Sequence, residues 1–233
     1  LCWLAWYLRR KKHALAPTAE FMRHLRVDPA ILKSVLRIGI PTALQMVIMS
    51  LAEVALLTIV NRFGSETAAA FAASMQLWNY VQMPALALGA AVSSMAAQNI
   101  GAGLWDRVGQ TARYGVLFNF ALTSVPVLLI YAASGTAIGI FLPAGSHSVQ
   151  IAEHINHIVL WSFPLFGVSM VLSGVVRAAG AVVAPLLVLV VALLGVRAPL
   201  AWLTVDRFGA DAVWWSFTIS ATIAAALTVA YYR

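Results

Sequence analysis

Glu53 is a carboxylate in the middle of a long apolar run, residues 36–60. A charged carboxylate is costly in apolar surroundings, so Glu53 is expected to face a water-filled cavity or a charged partner. Gln45 and Met49 precede it at intervals of four residues, which places all three on one helical face. Two interpretations stay open: Glu53 binds a coupling ion, H⁺ or Na⁺, or it forms a structural ion pair with Arg197.

A second polar face lies in the next apolar run, residues 68–97. Its members have the spacing i, i+3, i+4, i+7, and they are Gln76, Asn79, Tyr80 and Met83. Such a face lines a cavity for a large amphipathic ligand, or it forms hydrogen bonds between helices. The spacing is compatible with both interpretations.

Three aromatic residues, Trp161, Phe163 and Phe166, lie in the run 151–176. An aromatic wall attracts cations, which makes Trp161 and Phe166 candidate cavity residues. Aromatic side chains in a membrane span more often pack in the core, and packing is the favoured interpretation here.

Glu153, His154 and His157 form the pattern E-H-x-x-H, which differs from the H-E-x-x-H pattern of zinc proteases. Since no third ligand follows from the sequence nearby, no metal site is predicted. The sequence also contains no nucleophile elbow, phosphate loop or dinucleotide fingerprint. We therefore expect neither an enzyme nor a cofactor.

The elements that position these residues follow from composition. The 233 residues are 62% hydrophobic and 10% charged, whereas a soluble domain is about half apolar and about a quarter charged. The lipid bilayer must therefore be the solvent of most of the chain, and a spanning helix needs about 20 mostly apolar residues. The predicted fold is an all-α polytopic membrane protein, a six-helix transmembrane bundle. Its spans are residues 36–60, 68–97, 108–133, 151–176, 182–205 and 212–232.

The net charge of +7 indicates membrane topology rather than nucleic-acid binding. If residues 9–33 are cytoplasmic, the alternation of spans places every Lys and Arg on that side except Arg62, Arg197 and Arg207. The positive-inside rule then predicts a cytoplasmic C-terminus.

The chain divides into three parts by its pattern of apolar and basic residues. Residues 1–8 are apolar but too short to span, and basic residues follow them, so they are interpreted as the end of a preceding transmembrane helix. Residues 9–33 are interpreted as a cytoplasmic linker between lobes, and residues 34–233 as a six-helix lobe. Cys2 is the sole cysteine, which excludes an intrachain disulfide.

Several short stretches carry a family resemblance. They are IGIPTALQ at 38–45, QNIGAG at 98–103, VVRAAG at 175–180, VRAPLAW at 196–202 and GADAVW at 209–214. In this order and with these spacings, the chain resembles the multidrug and toxic compound extrusion (MATE) family of cation-coupled antiporters.

The resemblance implies two six-helix lobes related by pseudo-symmetry, of which this chain is similar to the linker and the C-terminal lobe. Its partner would be the N-terminal lobe of the same transporter. It further implies export of organic, often cationic, amphipathic compounds from a bacterial cytoplasm across the inner (plasma) membrane. Coupling to H⁺ or Na⁺ and alternating access between the lobes would drive this export.

Two positions depart from the family pattern. The family's glutamate in the first of these spans usually lies about one turn nearer Pro41, where this chain has Met49. Some members also have an aspartate in the fourth span, at the position held here by Phe166. Both departures favour proton coupling, or an ion site in the first lobe, over a sodium site built within residues 34–233.

Two alternative functions for the chain remain open. A related flippase for lipid-linked oligosaccharides would need several basic residues to hold pyrophosphate, and Arg197 alone lies deep in these spans. The chain could also be a non-transporting, truncated membrane subunit.

Overall fold

The structure is a computed structural model that describes residues 28–143 and 145–233, together with residues 3, 6, 7, 10 and 11. All regular elements within these residues are helices. Most of the predicted stub at 1–8 and most of the predicted linker at 9–33 lie outside the described residues. The first long helix begins at Pro29, so the last part of the segment assigned to the linker is helical.

Six helices of the described residues are long and apolar enough to cross a membrane, as the sequence predicted. Most of them extend a few residues beyond the predicted bounds, because polar residues at the interface continue a helix that hydropathy alone ends earlier. The spans are Pro29–Phe63, Ser65–Gly101, Trp105–Ala132, His147–Ala178, Val183–Phe208 and Asp211–Tyr232.

Several spans consist of more than one helical element. The first is α1, Pro29–Val60, with a 3₁₀ turn at Asn61–Phe63. The elements α2, Ser65–Gly101, and α3, Trp105–Ala132, are followed by a short α4, Ser134–Gly139. The fourth span joins α5, His147–Val159, through a 3₁₀ turn, Leu160–Ser162, to α6, Phe163–Ala178. The fifth joins α7, Val183–Val190, through a π-helical segment, Val191–Arg197, to α8, Ala198–Phe208, and α9 is Asp211–Tyr232.

The chain forms two compact units, Leu1–Ile40 and Pro41–Arg233. Their boundary falls within α1, at Pro41, a proline inside this continuous helix. Proline has no backbone N–H and cannot complete the hydrogen bond to the carbonyl four residues earlier. All residues discussed below belong to the second unit.

The centre of this unit consists of α2, α3 and α6, which approach closely at glycines. A Cβ added at Gly174 of α6 would lie 2.9 Å from the carbonyl oxygen of Gly89 in α2. A Cβ added at Gly167 would overlap Oδ1 of Asn119 in α3. Small residues permit such contacts between membrane helices, where dispersion and interhelical hydrogen bonds stabilise packing.

Two apolar clusters fill the interior. One contains Phe71 and Trp78, from the first half of α2, together with Trp214. The other contains Val92, from the second half of α2, together with Val171 of α6. From α1, the buried residues lie close to its C-terminal end, at Ala52, Leu56, Ile59 and Val60. Within this unit, residues 41–51 of α1 are therefore mostly exposed.

Candidate functional site

The polar stripe of α1 is accessible rather than packed in the core. Glu53 and Met49 are exposed, and Gln45 is half-buried. The Nε2 atom of Gln45 is buried and has no hydrogen-bond partner. Leu56 and Ala52, which turn toward the bundle, are buried. The carboxylate of Glu53 therefore lies on a surface of the lobe at membrane depth.

The polar face of α2 is also turned away from the core. Gln76, Asn79, Tyr80 and Met83 are all exposed, whereas their neighbours Leu77, Trp78 and Val81 are buried. Within the described part of the chain, the side chains of Gln76 and Asn79 make no hydrogen bond. The ring of Tyr80 stacks on Phe141 with centroids 6.5 Å apart. This arrangement favours the cavity-lining interpretation over hydrogen bonding between helices.

The two stripes remain separate groups. Among the described residues, no hydrogen bond, ion pair or ring contact joins Gln45, Met49 or Glu53 to the polar face of α2. Both stripes have accessible side chains, so an amphipathic ligand would have to reach them from outside the core.

The aromatic residues of the fourth span divide between core and edge. Phe163 is buried, and its ring lies 5.9 Å from that of Trp78 and 6.5 Å from that of Phe166. Phe163 is thus a packing residue, which agrees with the favoured interpretation. Trp161, in the 3₁₀ turn, is exposed, and Phe166 is half-buried.

Arg197 ends the π-helical segment and is held by α9. Its Nε donates a hydrogen bond of 2.8 Å to Oγ of Ser220, and its Cζ lies 4.2 Å from the ring centroid of Phe217. The hydroxyl of Ser220 in turn donates to the carbonyl oxygen of Phe217 at 2.9 Å. The guanidinium is therefore fixed by a hydrogen bond and a cation–π contact.

A direct ion pair between Glu53 and Arg197 is absent. Within the described residues, the one contact within 4.0 Å between a basic and an acidic side chain joins His154 and Asp211, and it is an ion pair only when His154 is protonated. The direct contact that the structural-pair interpretation requires is therefore not present. The guanidinium of Arg197 contacts Ser220 and Phe217 of α9 instead.

We expect Arg197→Lys to destabilise the lobe by about 1–2 kcal/mol, because an ammonium cannot stack flat on Phe217 while donating to Ser220. The apparent melting temperature in detergent measures this loss. Arg207→Lys is the matched control, since Arg207 is exposed at the end of α8. Equal losses from both variants would contradict the assigned contacts.

Each of the three side chains of the E-H-x-x-H pattern, Glu153, His154 and His157, contacts a different residue. Nε2 of His154 lies 2.9 Å from Oδ1 of Asp211, and Oε1 of Glu153 accepts a hydrogen bond of 3.1 Å from Ser134. The ring of His157 packs edge-on against Tyr131, with centroids 5.2 Å apart. Among the described residues, no three His, Cys, Asp or Glu side chains are close enough to hold a metal ion.

Sequence reasoning missed the partners contributed by α9. The sequence does carry one signal for Asp211, because an acidic residue is favoured in the first turn of a helix, and Asp211 begins α9. Ser220 and Phe217 gave no signal that connects them with Arg197, because the contact joins residues that only the tertiary fold brings together.

Comparison with known proteins decides the family. The MatE family model matches residues 41–203, which is most of the chain. The chain belongs to the MatE family. The resemblance inferred from the sequence is therefore confirmed, and the family comprises transporters rather than enzymes.

Two curated MatE relatives come from Bacillus subtilis (strain 168). The probable multidrug resistance protein YoeA is 35% identical over 229 residues, which cover 97% of this chain and 49% of YoeA. The probable multidrug resistance protein YpnP is 31% identical over 199 residues, which cover 85% of this chain and 44% of YpnP. The chain spans about half the length of these relatives.

A solved structure supports the MatE fold. The outward-facing conformation of a multidrug resistance MATE family transporter of the MOP superfamily matches with a TM-score of 0.87 at 19% identity. The match covers 100% of this chain and 52% of that chain. The chain is thus a six-helix membrane bundle with the fold of about half a MATE transporter.

Proposed function

We propose that the chain forms one lobe of a multidrug antiporter that exports organic, often cationic, amphipathic compounds. The observation that carries this proposal is the accessible carboxylate of Glu53 at membrane depth in a MatE-family lobe. A carboxylate in a hydrated cavity binds either a proton or Na⁺, or it pairs with a cationic group of the cargo. One site can therefore exchange ion for cargo.

The charge balance of the lobe favours cationic cargo. Arg197, the other charge deep in a span, is occupied by Phe217 and Ser220. Glu53 is exposed and makes no hydrogen bond among the described residues. The charge available to a ligand is therefore negative, which also argues against a flippase for pyrophosphate-linked sugars.

The exposed face of α2 supplies the second half of the proposed binding surface. Gln76 and Asn79 offer uncommitted hydrogen-bonding groups, while Tyr80 and Met83 offer aromatic and thioether surface. Trp161 and Phe166 extend this surface at the edge of the core. Such a mixture suits amphipathic molecules of varied shape better than one rigid substrate.

Transport would proceed by alternating access. The cavity would lie between this lobe and a second lobe, the N-terminal lobe of the same transporter, and would open to one side of the membrane at a time. Ion and cargo would compete for Glu53 and so bias the two states in opposite directions. We place the C-terminus in the cytoplasm and the protein in the bacterial plasma membrane, in accordance with the positive-inside rule.

Efflux of a fluorescent organic cation tests this function. Vesicles that contain the transporter are loaded with dye and energised with either a proton or a sodium gradient, each imposed alone. We expect efflux with one gradient and its collapse with the matching ionophore. Efflux that needs neither gradient, or that needs ATP, would contradict the proposal.

A second experiment measures efflux from vesicles that contain the 233-residue chain alone. Coupled efflux by the chain alone would mean that two copies form the transporter, whereas efflux only with a second lobe present supports the single-chain arrangement. No efflux in either preparation would support the non-transporting subunit instead.

A further inference from the structure

A groove of about 600 Å³ runs between α2 and α3, and none of its lining residues belongs to the proposed ion and cargo site. From Leu88 to Asn99 on α2 it extends over 12 residues, or about 16 Å for the 11 steps of 1.5 Å between them. That length matches one leaflet of the hydrocarbon core, which is about 15 Å thick. The groove thus has the length of one lipid acyl chain.

The polarity of the groove changes along its length. Ala91, Met95 and Phe118 line its apolar part, whereas Arg107 and Gln110 lie at the end nearest the α2–α3 turn. The exposed Trp105 lies beside this polar end, as interfacial tryptophans do. A molecule that fits must carry a long apolar chain and a polar head on the same side as Arg107.

The polar end presents unused donors and positive charge. Within the described residues, the guanidinium of Arg107 makes no ion pair or hydrogen bond, and neither does the hydroxyl of Tyr114, which also lines the groove. Asp106 lines a neighbouring cavity of about 580 Å³, which shares Arg107 and Gln110 with the groove, and within the described part of the chain Asp106 makes no ion pair with Arg107. The unpaired guanidinium offers several N–H donors and a positive charge, which fit an anionic phosphate, whereas Tyr114 lies seven residues, or about 10 Å, further along α3.

We propose that this groove binds an anionic phospholipid, with its acyl chain against Ala91, Met95 and Phe118 and its phosphate at Arg107. Ordinary annular lipid would show no preference for headgroup, whereas basic pockets at the ends of membrane helices select anionic headgroups. The site shares no residue with the proposed ion and cargo site, so it does not depend on the transport proposal.

Native mass spectrometry of the 233-residue chain, titrated with phosphatidylglycerol or phosphatidylcholine, measures the binding. We expect phosphatidylglycerol to bind at least about fivefold more tightly, since one Arg near the membrane surface supplies about that factor. Arg107→Gln should remove this preference. Arg113→Gln is the control, because Arg113 is exposed on the same helix but does not line the groove.

A second pair of variants tests the acyl-chain half. Ala91→Phe should fill the groove and weaken binding of both lipids, whereas Ala90→Phe, on the neighbouring exposed position outside the groove, should not. Equal effects within either pair would overturn the site, as would equal affinity of the unchanged chain for the two lipids. Displacement of bound lipid by millimolar inorganic phosphate would also overturn it, since that result describes an ion site.

Discussion

Glu53→Gln is expected to lower coupled dye efflux at least about tenfold without lowering the amount of protein in the membrane. Glutamine keeps the shape of the side chain but can neither take up a proton nor balance a cation. The loss of one charge interaction at membrane depth is worth about 1.4 kcal/mol or more, which is a factor of ten. Efflux rates in vesicles, normalised to an immunoblot, measure the change.

The stability of this variant should be unaffected because Glu53 is exposed and makes no hydrogen bond among the described residues. Glu53→Asp keeps the charge and should retain part of the efflux. Glu66→Gln is the matched control, since Glu66 is an exposed acid in the first turn of α2. Normal efflux by Glu53→Gln would remove this residue from the mechanism.

Gly167→Ala is expected to destabilise the lobe by about 2 kcal/mol, through overpacking and a disturbed buried amide. The new methyl group would overlap Oδ1 of Asn119. Asn119 cannot easily move, because it is fully buried, donates to the carbonyl of Ala85 at 3.3 Å and accepts from Thr123 at 3.1 Å. Unfolding by sodium dodecyl sulfate in mixed micelles measures the loss.

Two further variants isolate that mechanism. Gly109→Ala, in α3 with nothing within 4 Å of its added Cβ, should leave stability unchanged or raise it slightly, because alanine favours a helix. On an Asn119→Ala background the overlap is gone, so Gly167→Ala should then cost much less. Simple additivity of the two losses would mean that the amide is not the obstacle.

The membrane spans and the family could be predicted from the sequence because hydropathy acts locally and the motifs occur in one order. The stripes containing Glu53 and Tyr80 followed from helical periodicity, and both proved accessible. Which side of each helix would remain open to a ligand was not predictable, since that depends on how the other helices pack.

The surroundings of Arg197 show where sequence reasoning stops. Two deeply placed opposite charges suggested an ion pair, yet Arg197 contacts Ser220 and Phe217 on α9 instead. The direction of a side chain at the end of a π-helical segment depends on the backbone, and no residue pattern indicated that segment. Likewise, the pairing of His154 with Asp211 joins two helices whose proximity only the fold establishes.

The π-helical segment Val191–Arg197 has a consequence for insertions and deletions. A π-turn accommodates one more residue than an α-turn, so removal of a single residue there would return the span to a regular helix. The residues that follow would keep nearly their present orientation relative to α7, because the wider turn already absorbs the extra residue, whereas a deletion within α7 itself would rotate them by about 100°. Within this span, the π-helical segment is therefore the place where loss of one residue is least expected to turn the following residues away from α9.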